Sequence, residues 1–137
     1  MILTNRIYFL LAILIVLQSS CDVKERKLDC SAIKTGRFEF HGGYSDRLYT
    51  IERNDSIQIE KDLRTHLGVK LAIKWTGPCE YELSLISFTV NGKDSIADHP
   101  DFNSMKTRIT KISKNYYVCE SVDNKGGGSV DTMLIVK

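Results

Sequence analysis

Apolar and polar positions alternate with a period of two through most of the chain, the signature of strands that bury one face. From Gly36 onward Phe38 and Phe40 alternate with Arg37 and Glu39, and Tyr49 and Ile51 then alternate with Leu48 and Thr50. Asn54-Asp55 predicts a turn, because short Asx side chains satisfy the local backbone. Ile57 and Ile59 continue as the apolar face of a second arm, with Gln58 and Glu60 opposite. Residues 62–68 read as a loop. Val69, Leu71, Ile73 and Trp75 form the most regular run, set against Lys70, Ala72 and Lys74. Thr76-Gly77-Pro78 ends it, since proline cannot donate to a ladder.

Beyond Pro78 the apolar face carries Cys79, Tyr81, Leu83 and Leu85, and then switches to Ile86, Phe88 and Val90. That flip predicts a bulge or a strand bent across a barrel corner. Asn91-Gly92 predicts a tight turn. Residues 93–104, polar and containing Pro100, read as a loop or a single helical turn. Strands are predicted over 105–112 and 116–122 around a Ser-Lys-Asn turn, and over 130–136 after three glycines. About eight short strands without an amphipathic helix predict an all-β antiparallel meander, either barrel-like or a two-layer sandwich.

The N-terminus is patterned differently. Residues 7–17 are apolar on every side, follow a start with one basic residue, Arg6, and precede the small pair Ser19-Ser20. As a helix, that run would extend about 17 Å, short of the roughly 30 Å hydrocarbon core of a bilayer. A secretory signal helix accounts for all three features. Leu17-Gln18-Ser19-Ser20-Cys21 resembles the bacterial lipobox, in which the cysteine is acylated and becomes the new N-terminus. Gln18 stands where a hydrophobic residue is commoner, a looser form familiar among Bacteroidota. The expected organisation is a lipoprotein signal peptide over 1–20, a lipidated N-terminus and charged tether over 21–34, and a single β domain over 35–137. Acyl chains on Cys21, at about 0.8 kcal/mol per buried methylene, would hold the protein to the membrane. The expected location is the bacterial cell envelope, at the outer membrane.

Composition narrows the classes. At 137 residues, 42% hydrophobic and 26% charged, the chain suits one globular domain after cleavage. The formal charge of +2 is spread over isolated residues such as Lys70, Lys74, Lys106, Arg108 and Lys111, which predicts solvated strand faces and no nucleic-acid partner.

Besides Cys21 there are three cysteines, Cys30, Cys79 and Cys119, enough for one disulfide and one thiol in an exported protein. Cys30–Cys79 and Cys79–Cys119 would close loops of similar length, each worth roughly 4 kcal/mol. Cys30–Cys79 is favoured because it would clamp the tether to the sheet, leaving Cys119 as a small buried residue. The sequence contains no CxxC pair, nucleophile elbow or phosphate-binding glycine loop. His41, His66 and His99 are too dispersed to suggest a metal site, and Asp98-His99-Pro100-Asp101 reads as a solvated loop. No catalytic residues, metal or cofactor are expected. Arg53, Gln58, Glu60 and Glu80 are placed to meet across adjacent strands, by default as a surface ion-pair network. With Trp75 and Tyr81, the residues Arg53, Glu60 and Glu80 are the candidate ligand or partner contacts.

Thr35-Gly36-Arg37-Phe38, Gln58-Ile59-Glu60 after Arg53, and Trp75 followed by Cys79-Glu80-Tyr81 together resemble a group of small Bacteroidota lipoproteins. The resemblance covers most of the β domain but implies no activity. Asp55-Ser56-Ile57, Asp94-Ser95-Ile96 and Asp131-Thr132-Met133 also look like the O-glycosylation motif of that phylum. The expected function is a non-enzymatic interaction module with a protein or glycan partner. The alternative is a lipocalin-like carrier of a small apolar ligand, with Trp75, Tyr81 and the phenylalanines lining its mouth. An enzyme ranks last, for want of a nucleophile–base or metal constellation.

Overall fold

The computed structural model describes residues 28–42, 47–96 and 104–137. The expected signal, Cys21, the tether up to residue 27 and the 98–101 loop lie outside the described residues. Nine strands follow one another among the described residues: β1 (Gly36–His41), β2 (Leu48–Arg53), β3 (Ile57–Asp62), β4 (Gly68–Gly77), β5 (Glu80–Val90), β6 (Lys93–Ile96), β7 (Met105–Ile112), β8 (Tyr116–Asp123) and β9 (Gly128–Val136). The sheet runs β4-β3-β2-β1-β9-β8-β7-β5-β6, and a further pairing of β4 with β5 closes eight of the strands into an antiparallel barrel. The expected all-β meander is therefore a barrel, with β6 as an added strand outside it.

Local chemistry sets the corners. Asn54 Oδ1 accepts from the backbone N–H groups of Ser56 and Ile57, at 3.0 and 2.8 Å, and so forms the β2–β3 turn. Asn91 and Gly92 both have positive φ, 51° and 75°, the conformation that a two-residue hairpin of this hand requires. In β5, Leu85 faces Leu71 and Ser87 faces Lys70, so Ile86 is the extra residue of a bulge. The apolar phase changes there, as the sequence predicts. Past the bulge β5 leaves β7 and pairs with β6.

Two expectations need correcting. Lys93–Ile96 is a strand, not a loop. It hydrogen-bonds to the outer half of β5 only, so it has no core face and shows no apolar alternation. In β3 the faces are reversed: Gln58 is buried and Ile57 and Ile59 lie on the outer side. The register pairs Arg53 with Gln58, and Arg53 is itself buried, so the inner face needs a polar partner at that position.

The barrel axis is occupied by side chains. Phe38, Ile51, Leu71, Leu83, Ile109 and Tyr117 are all nearly sealed from water. Each side chain of this kind stabilises the fold by about 1.5–3 kcal/mol relative to exposure. One end is plugged by a 3₁₀ turn, Ser31–Ile33, which puts Ile33 into the core. Asp29 Oδ1 starts the turn by accepting from Ser31 N–H at 3.0 Å. Cys30 and Cys79 form a disulfide that ties the plug to the β4–β5 turn, as the sequence suggests. Cys119 is free and buried.

The seam between the first and last strands is incomplete. β1 pairs with β9 at Arg37–Val136, Phe38–Ile135 and Glu39–Leu134, and then the two strands part. From Gly128 to Met133, β9 pairs with β8 alone among the described residues.

Candidate functional site

Arg53 is the last residue of β2, and the strand alternation turns it inward just beneath the plug. A buried guanidinium is costly unless its donors are met. Nε donates to Gln58 Oε1 at 2.7 Å, Nη1 to the carbonyl of Ile33 at 3.2 Å, and Nη2 to the hydroxyls of Tyr81 and Tyr117, both at 3.1 Å. The guanidinium carbon lies 4.7 Å from the Tyr81 ring centroid and 5.1 Å from that of Phe38. Its planar fork is thus held by hydrogen bonds in the plane and aromatic rings around it, a geometry that lysine does not reproduce. Burial works against the charge on Arg53, and the two tyrosine oxygens offset it. Burial also raises the pKa of both tyrosines, so they remain neutral partners.

The network continues inward. Gln58 Nε2 donates to Glu60 Oε1 at 2.6 Å, joining Arg53 to a carboxylate through one amide. Glu60 keeps partial solvent access although it faces the barrel interior. Burial pushes its pKa up, Gln58 and Arg53 pull it down, Asp131 pushes it up again, and the net direction is upward. Thr107 and Ser121 hydroxyls meet at 3.0 Å in the same interior. The Cys119 thiol is pushed up to about 12, first by burial and then by Asp131. A thiol in that state is a poor nucleophile.

Of the candidate contacts, Arg53, Glu60 and Tyr81 therefore come together, with Gln58 between them, inside the barrel and not on its surface. Trp75 adjoins them through Tyr81, with ring centroids 4.9 Å apart, and Lys34 of the plug segment sits over its indole at 5.0 Å. The expected aromatic mouth is overturned for these two residues: Trp75 and Tyr81 stand at the plugged end. Phe38 is likewise sealed inside, edge-on to Tyr117. At the opposite end Phe40 stacks on Tyr49 at 4.7 Å.

Glu80 does not join the cluster. It pairs with Arg108 Nε at 2.8 Å on the outer surface, because its strand position is one step out of phase with Tyr81. There it lines an open groove of about 510 Å³ across β5, β7 and β8, with Glu82, Lys106, Arg108, Glu120 and Val122. Tyr117 and Ile33 are the members that sequence reasoning missed. Tyr117 shares the two-residue phase of buried Cys119, which is the one signal that pointed to it. Nothing in the sequence marks the Ile33 carbonyl as an acceptor.

Among the described residues, no group of three or more His, Cys, Asp or Glu is arranged to hold a metal ion, and no helix is long and apolar enough to cross a membrane. Comparison with known proteins finds no matching family model, no matching curated protein and no matching solved structure.

Proposed function

We propose that the chain is a lipid-anchored protein of the bacterial cell envelope, at the outer membrane, whose barrel is a non-enzymatic interaction module. The observation that carries this is the covalent clamp at the N-terminal end of the domain. The turn Ser31–Ile33, downstream of the lipobox-like Cys21, plugs the barrel, and the Cys30–Cys79 disulfide fixes it to the β4–β5 turn. Seven residue steps separate Cys21 from Leu28, a reach of no more than about 25 Å. An acylated Cys21 would therefore hold the plugged end against the bilayer and direct the opposite end away from it. A disulfide also suits an exported protein.

The non-enzymatic part of the reading draws on the Arg53 cluster. The Arg53 guanidinium is taken up by Gln58, Ile33, Tyr81 and Tyr117, and the one free thiol among the described residues is buried with a raised pKa. The carrier alternative draws on the closed up-and-down barrel, an architecture that holds small ligands elsewhere. It ranks second because Phe38, Ile51, Leu83 and Tyr117 occupy the axis.

Intact mass spectrometry of protein extracted from membranes tests the anchor. The expected species begins at Cys21 and carries two or three acyl chains. An unmodified N-terminus at another residue would overturn the reading.

A further inference from the structure

We infer that the open edge of β9, residues 128–132, docks an extended peptide that adds as a strand beside Val130 and sets a lysine or arginine side chain against Asp131. The inference rests on reading the barrel as an interaction module, and it names the class of partner.

The backbone supplies the first argument. Ile135 N–H donates to the Asn115 carbonyl, on the β8 side. Because neighbouring residues of a strand point their N–H and C=O groups to opposite sides, Met133, Asp131 and Ser129 also face β8. Val130 and Thr132 therefore face the other way, toward the side where β1 pairs only with residues 134–136. Their donors and acceptors form a short template for a further strand.

The second argument is that, among the described residues, this edge lacks the usual protection. Residues 128–132 contain no lysine, arginine or proline, and Val130, 70% exposed, is the most exposed large apolar side chain among the described residues. By contrast β6, the strand beyond the barrel, is four residues long and opens with Lys93 and Asp94.

Charge selects the occupant. Asp131 faces inward at the open seam and accepts from Ser129 Oγ at 2.7 Å, with no cation in ion-pair reach among the described residues. Glu60 is the next carboxylate on the inner face. An incoming strand would present alternate side chains to this acidic side and to Val130, so basic and apolar residues in alternation fit best. A second copy fits poorly. A two-fold pairing centred on Val130, Asp131 or Thr132 sets Asp131 opposite or diagonal to its own counterpart, and like charges across a ladder repel.

The test is fluorescence anisotropy with the processed, detergent-extracted protein and a labelled heptapeptide of alternating valine and lysine. The expected result is saturable binding that weakens about fivefold or more when glutamate replaces lysine, or in Asp131→Asn. Val130→Pro removes only an outward N–H, so binding should be lost while circular dichroism and the melting temperature hold. Methylating the peptide amides that face β9 should abolish binding to the unaltered protein, which covers the case where that variant fails to fold. Equal binding of the glutamate peptide, undiminished binding of the methylated peptide, or a dimer that Val130→Pro dissolves would overturn the proposal. An acylated Cys21 on protein that ignores the lysine peptide overturns the edge site alone. Lysine-dependent binding by protein with an unmodified N-terminus supports the edge site and removes only the anchor.

Discussion

Arg53 Nη2 donates to the Tyr117 hydroxyl at 3.1 Å across 64 positions of sequence, and the same guanidinium reaches the carbonyl of Ile33 in the plug. One side chain thus joins β2, β8 and the N-terminal turn. Arg53→Ala should destabilise the domain by about 3–5 kcal/mol, because it strands Gln58, two buried hydroxyls and a carbonyl. Arg53→Lys should recover little, having no fork to span four partners. Tyr117→Phe removes one bond to a charged group and should cost about 1.5–3 kcal/mol. Urea unfolding of the three variants checks this order.

The Cys30–Cys79 bridge spans a sequence separation of 49 and stabilises mainly by restricting the unfolded chain. Replacing both cysteines by alanine should cost roughly 4 kcal/mol. The loss should also reach the plug: Ile33, Lys34 and the Trp75 indole all lie at that end, so Trp75 fluorescence should shift before the barrel unfolds. Equilibrium denaturation followed by Trp75 emission and by circular dichroism separates the two events. Coincident transitions would show plug and barrel to be one cooperative unit.

Cys119 should be silent toward thiol reagents in the native protein and react once when unfolded. Its side chain is almost wholly buried and its pKa is pushed up to about 12, so little thiolate forms at neutral pH. Mass-resolved labelling with and without denaturant, in the absence of reductant, counts the thiols directly.

The strands were legible where one face meets aliphatic core and the other meets water. Val69, Leu71, Ile73 and Trp75 alternate because β4 is packed in that way along its whole length, and even the Ile86 bulge left a mark in the phase of β5. Legibility failed where the interior is polar. Gln58 and Glu60 read as the wet face of β3, yet they point inward, because a buried arginine reverses the usual meaning of polar and apolar at its neighbours. The site failed for a related reason. Local pattern joins Arg53 to residues a hairpin away, but Tyr117 and Ile33 reach it only through barrel closure, which no local period encodes. β6 was missed because an outer strand needs no apolar face to bond.

Two inward carboxylates should give stability opposite slopes with pH. Burial works to raise the Asp62 pKa, but the N–H groups of Arg64 and Thr65, with Arg47 at 3.6 Å, outweigh it and leave it below 3.8. Its contribution is present above 3.8 and lost as the pH falls through the native value. Glu60 behaves in the other sense. Its native pKa lies above 4.5, so the native state holds that proton more tightly than the unfolded chain. Stability should therefore fall as the pH rises from 4.5 through the native value, and then level off. Glu60→Gln keeps an acceptor for Gln58 Nε2 and removes the charge, so it should flatten that limb and stabilise the protein at neutral pH. Asp62→Asn should flatten only the acid limb. Urea midpoints measured from about pH 3 to about pH 8 test both slopes. A decline above 4.5 that survives in Glu60→Gln would place its origin in another group.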